Sequence, residues 1–172
     1  VVEPITRQNI EDSVAIVGSK NVTLAGQDLR HIDDLEEINL EGANLNETKL
    51  DRLKLSRANL KATKFDSASL QGTLLDGAEL QGANFYRADL READLSGAFL
   101  QKAYLGSANL RDALLAGADL SEANLHFADL RGADLREAKM AGIDLKGARY
   151  NEKTLWPEKL IPVMVGAIFE RR

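Results

Sequence analysis

The acid–base candidates of this chain are few and scattered. Its two histidines, His31 and His126, lie far apart, and no cysteine accompanies them. A transition-metal site needs several converging His, Cys or carboxylate ligands, so no metal is expected. Carboxylates are plentiful, but Asp89, Asp94, Asp119, Asp129 and Asp134 recur at one position of a repeat. Short acidic side chains placed that way bond to nearby backbone and build turns. No glycine-rich phosphate loop, lysine-bearing P-loop or nucleophile elbow is present. The expectation is a protein with no catalytic residue and no cofactor.

Two surface constellations remain. Arg91, Arg111 and Arg131 stand twenty residues apart. In line, three guanidiniums could grip phosphates or an acidic partner. Asp89, Glu92, Asp112 and Asp129 flank them, so a solvated ladder of weak ion pairs is the favoured reading. The second constellation is aromatic. Phe99 and Tyr104 occupy the place where most units carry Asp or Asn, and Tyr86 and Phe127 take outward positions nearby. A cluster of exposed rings can mark a partner site, and the competing reading is packing between neighbours. Leu74 and Leu114 also replace Asp or Asn, on another face.

What positions these residues is a strict period of five. From Leu35 to Tyr150 every fifth residue is large and apolar or aromatic, and alanine stands two before it thirteen times running, from Ala78 to Ala138. An α-helix would spread such a column around its cylinder. A strand would alternate it between two faces. A chain that turns a corner every five residues can bury it, with the small and large residues both pointing inward. Asp or Asn just before the large residue suits a turn, and glycine two after it, as at Gly72, Gly97 and Gly117, tolerates a tight corner.

Units such as Ala88-Asp89-Leu90-Arg91-Glu92 and Ala123-Asn124-Leu125-His126-Phe127 resemble the A(D/N)LXX motif of pentapeptide-repeat proteins. The resemblance implies an all-β fold, a right-handed parallel quadrilateral β-helix in which four units make a coil and residues twenty apart stack. About six coils at ~4.8 Å give a rod ~30 Å long. The resemblance also implies a non-enzymatic scaffold or protein-interaction module. The family is abundant in cyanobacteria and plastids, and Tyr150-Asn151-Glu152-Lys153-Thr154 followed by Trp156-Pro157-Glu158 looks cyanobacterial. An alternative comes from the family's gyrase-protecting members, which imitate DNA and confer quinolone resistance. A mimic must present sustained negative potential. Residues 41–150 carry sixteen acids against fifteen bases, which disfavours that reading and direct nucleic-acid binding alike.

The ends are less regular. Leu24 and Leu29 are five apart and Leu35 is six further on, which predicts an extra residue near Ile32. Ile38, Thr48, Leu53, Thr63 and Thr73 replace the inward alanine, so the first coils should be the less regular ones. The organisation read from this is a cap or extension over residues 1–23, either helix or irregular coil, a β-helix over 24–155 and an apolar C-terminal cap over 156–172. The partner is an unknown protein. A monomer is favoured, with a homodimer through the tail as the alternative. No stretch is long enough to span a bilayer. The default compartment is the cytoplasm, or the thylakoid lumen or periplasm if a targeting segment preceded Val1.

Overall fold

The computed structural model describes residues 3–171. Each five-residue unit folds the same way. In the unit after Leu40, the Ala43 N–H donates to the Leu40 carbonyl at 3.0 Å, closing a four-residue turn. The second corner residue, Gly42, has φ of 71°. One positive φ at that place is the mark of a type II turn. Fourteen non-glycine residues hold the same place elsewhere, with φ from 52° to 64°, among them Arg87 and Phe127. Each costs roughly 1 kcal/mol against an ordinary dihedral. The stacked backbone bonds hold them there.

Successive coils pair in parallel. Asn39 bridges to Asn59, Asn44 to Lys64 and Lys49 to Ser69, and this twenty-residue step continues to Asp129 and Arg149. Four units therefore make one coil of a right-handed quadrilateral β-helix. The leucine column lies inside on all four faces, with Leu60 to Leu135 almost fully buried. Phe65 and Phe85 stack face to face at 4.7 Å within one such column. Burying each leucine stabilises the fold by about 2 kcal/mol.

The first coils differ from expectation. Thr48, Thr63 and Thr73 are buried, and their hydroxyls donate to the carbonyls of Leu24, Leu40 and Leu50 at 3.0, 2.7 and 2.9 Å. Threonine thus fits the inward place by giving its polar atom a partner. At this end irregularity is confined to the residues before Asp34. Thr23 and Asp28 pair with Asn44 and Lys49, one residue out of step, and the twenty-residue step begins at Asp34 and Lys54.

Helix α1, Arg7–Val17, lies at the N-terminal end with Ile10 buried in the core. Thr6 caps it, its side chain accepting from the Asn9 N–H while the Asn9 side chain accepts from the Thr6 N–H. The Arg7 guanidinium donates to the carbonyls of Asp34 and Glu36 at 3.4 and 3.2 Å. Those are the acceptors that a preceding coil would have used.

At the other end the register shifts by one. Asp134 pairs with Leu155, so Leu155 points outward and is 42% exposed, while Trp156 packs against the core. Thr154 takes the inward small place and donates to the Leu130 carbonyl at 2.9 Å. The chain then makes one irregular coil. Strand β1, Arg149–Tyr150, pairs in parallel with β2, Ile168–Phe169. Trp156, Leu160 and Val165 pack inward beside Tyr150.

Candidate functional site

The recurring carboxylates are turn formers. Asp89, Asp94, Asp119, Asp129 and Asp134 each accept the N–H two residues on, as Asp94 does from Ser96 at 2.9 Å. Asp129 is nearly buried. Burial opposes its charge, but hydrogen bonds from Arg131 and the nearby Arg149 hold its carboxyl below the usual range. His126 contacts Asp144, while His31 bonds the Ile5 carbonyl through Nε2 at 2.6 Å. Among the described residues no group of three or more His, Cys, Asp or Glu is placed to hold a metal ion. No described helix is long and apolar enough to cross a membrane.

One concavity was not foreseen. An open cleft of about 1520 Å³ lies at the N-terminal end, between residues 3–5 and the corner that holds the extra residue. Arg30, Arg52 and Lys54 line it together with Glu3, Asp28 and Asp33. Its charges are mixed, and Arg30 is already held by Asp28 through two bonds of 2.8 and 2.6 Å.

The arginine column exists as a column, but its members are not equivalent. Arg91 makes a two-bond pair with Asp89, and Arg131 makes the same pair with Asp129 and reaches Glu170 at 3.2 Å. Arg111 has no ion pair among the described residues. The pairing runs within a unit, two residues apart, because the turn bends each arginine back over its own Asp.

The aromatic residues divide. Tyr86 and Tyr104 stack with ring centroids 5.7 Å apart, and the Arg87 guanidinium lies 4.8 Å from the Tyr86 centroid. The hydroxyl end of Tyr104 lies against Gly106, where a Cβ would come within 3.0 Å of it. Phe127 sits on the same corner, 63% exposed, over Gly147 and edge-on to His126. Phe99 stands one unit before Tyr104, hence on the adjacent face, and makes no ring contact among the described residues. Leu74 and Leu114 share a third face and are exposed, with Asp94 between them. The structure thus stacks Tyr86 on Tyr104, places Phe127 on the same corner one coil further on without ring contact to either, and leaves Phe99 on another face. Arg87 and His126 join the corner unannounced. Their signal was positional, since each neighbours an aromatic in units twenty or forty residues apart.

This geometry places the molecule in a known class. The model of the pentapeptide repeats matches residues 34–61, 63–101, 98–136 and 128–149 in eight copies, more than half of the chain. The chain belongs to the pentapeptide-repeat family. It is similar to HetL of Nostoc sp. PCC 7120, a pentapeptide-repeat protein involved in heterocyst differentiation regulation (28% identity over 74% of this chain and 82% of that one, TM-score 0.35). It is similar to Rfr23 of Cyanothece 51142 (23%, 87% and 98%, TM-score 0.46). It is also similar to a thylakoid-lumen protein of Arabidopsis thaliana (26%, 74% and 68%, TM-score 0.35). Superpositions this loose carry nothing further, and membership rests on the repeat match. No curated protein sequence matches the chain significantly.

Proposed function

We propose that the chain is a non-enzymatic interaction module that presents the corner of Tyr86, Tyr104 and Phe127 to a protein partner. Residues 24–155 form the presenting rod in this reading, and residues 1–23 and 156–172 are its end pieces. The observation that carries it is the row of rings held outward on one corner, Tyr86 stacked on Tyr104 and Phe127 on the next coil, with Tyr104 41% and Phe127 63% exposed. Rings held by glycines beneath them lose little freedom on binding, which suits an anchor. Arg87 and the pair of His126 and Asp144 give the patch a polar rim.

Affinity capture from the native organism tests this. Tyr104→Ala combined with Phe127→Ala should remove the partner, while stability stays within about 1 kcal/mol, as for surface changes. Capture that survives the double substitution would move the site to Arg111 or to Leu74 and Leu114. A supercoiling assay separates the DNA-mimic alternative. Sixteen acids against fifteen bases over residues 41–150 support no protection of gyrase from a quinolone. Protection would replace the present reading.

A further inference from the structure

We propose that the C-terminal end of the rod takes up an extended acidic segment of another protein as one added strand along residues 138–145. The contact uses none of the rings of the aromatic corner. It goes beyond the function proposed above and stands or falls without it.

The first observation is an unpaired stretch in the last rung. On the face of Leu40, Leu80 and Leu120, every coil donates two N–H groups to the next, as Leu120 and Glu122 do to the carbonyls of Lys139 and Ala141, both at 2.8 Å. In the last coil the same two places are Met140 and Gly142, whose N–H groups meet no acceptor among the described residues. On the following face the Leu145 N–H also meets none, and the carbonyls of Ala138 and Ile143 receive no donor. The ladder is filled on both sides of this stretch. Leu135 donates to the Leu155 carbonyl at 2.7 Å before it, and Gly147 to the Gly166 carbonyl at 2.9 Å after it. Open edges of this kind are templates for another chain. A parallel strand laid here would accept from Met140, Gly142 and Leu145 and donate to Ala138 and Ile143.

The second observation is that the chain's own tail passes this edge by. Residues 156–165 make no backbone bond to residues 137–145. They cross the end of the core instead, where Trp156, Leu160 and Val165 pack. A Cβ on Gly142 would have Glu122 of the coil beneath as its nearest neighbour, at 3.4, 3.9 and 3.9 Å. Met140 and Ile143 hold inward places but are only partly buried, where Leu120 and Ala123 beneath them are fully covered. The N-terminal end differs, because there the Lys20 side chain lies 2.9 Å from the same point on Gly42.

The third observation is charge, and it selects the occupant. Residues 139–172 carry seven bases and four acids. Two such ends repel, which disfavours a second copy's tail and favours an acidic strand. Lys139 stands outward on this edge, exposed and 3.9 Å from Asp119 on the coil beneath. An acid on the added strand would take the opposite side of Lys139. Asp144, the acid on this edge, is already in contact with His126. The residue that follows the strand's acid points inward onto Met140, so it should be apolar. The segment recognised is a small residue, an acid and an apolar residue in extended conformation.

Amide NMR on the full chain tests this, with the blocked peptide Gly-Ala-Asp-Leu-Ser-Gly as probe. The Met140, Gly142 and Leu145 amides should shift on titration. At a peptide concentration about ten times Kd their hydrogen exchange should slow about tenfold. Methylation of the peptide's Asp nitrogen removes the donor to Ala138 and should weaken binding about fivefold. Lys139→Glu, an exposed change checked by thermal melts, should weaken it about threefold. A peptide with Lys in place of Asp should restore binding to that variant. Amides of Met140 and Gly142 that are already protected in the chain alone overturn the proposal, because the tail or a second copy then fills the edge. So do a titration that leaves all three amides unmoved and binding indifferent to the methyl group. Equal affinity of both peptides for both proteins rejects the acidic partner.

Discussion

Gly147 shows how one atom decides a corner. Its φ is +73°, and a Cβ there would lie 2.6 Å from two carbons of the Phe127 ring. Gly97 shares the dihedral, at +63°, but a Cβ would meet nothing within 4 Å. Gly97→Ala should therefore cost about 1 kcal/mol, the dihedral alone. Gly147→Ala should cost about 2 kcal/mol or more, dihedral plus ring displacement. In a Phe127→Ala background the two costs should become equal, as read from urea unfolding. Equal costs in the wild-type background would mean the ring is not seated on Gly147. Asp129 is a second residue whose burial matters. Its carboxyl lies below its ordinary value, so its stabilising effect is complete above an unfolded-state pKa near 3.8 and is lost as pH falls below that. Asp129→Asn should cost about 2 kcal/mol at pH 7, because Arg131 and Arg149 lose their shared partner. The difference from wild type should shrink below about pH 4. A constant difference down to pH 2 would show that the charge is not what Asp129 contributes.

At the scale of elements, the repeat needs something at each end to meet its open backbone. Arg7 does this at the start, its guanidinium standing in for two missing N–H groups on the carbonyls of Asp34 and Glu36. Arg7→Met keeps much of the side chain's length and removes the donors. It should cost about 1–2 kcal/mol and speed amide exchange across Arg7–Val17, with the coils around Leu90 and Leu110 unchanged. Unchanged exchange in α1 would mean the helix is held by Ile10 alone. The coils themselves were legible in the sequence, because a residue such as Leu90 can be buried every five positions only by a chain that turns every five. The extra residue near Ile32 was legible from the six-residue step for the same reason. The outward placement of Leu155 was not. Its spacing continues the column, and the shift shows in the pairing of Asp134 with Leu155 and in the Thr154 hydroxyl bond to the Leu130 carbonyl, with Asn151 and Thr154 accepting from the Gly132 N–H. Phe99 and Tyr104 are near in sequence, yet a corner stands between them. The seat of Tyr104 on Gly106 was not legible, since Gly106 directly follows Leu105 and so stands one place before the usual corner glycine.

For the whole molecule, the twenty-residue coil is what turns scattered residues into a surface. Tyr86, Tyr104 and Phe127 are separated in sequence and share one corner only because Asn84 pairs with Tyr104 and Tyr104 with Asn124 on successive coils. Every unit presents the same inward pair, so the fold tolerates added units, but the rotational phase of the surface does not. Insertion of one unit, Ala-Asp-Leu-Ser-Gly, between units at the Ala113 boundary should leave a folded β-helix in which everything after it turns by a quarter of a coil. Phe127 and His126 then move to a face away from Tyr104. Insertion of four such units restores the phase and separates the rings by one more rung, about 4.8 Å. The measurement is partner capture by the two insertion variants, both shown to be folded by circular dichroism. The account predicts that the five-residue insertion loses the partner and the twenty-residue insertion keeps it. Equal capture by both would contradict the claim that a surface assembled across coils performs the function.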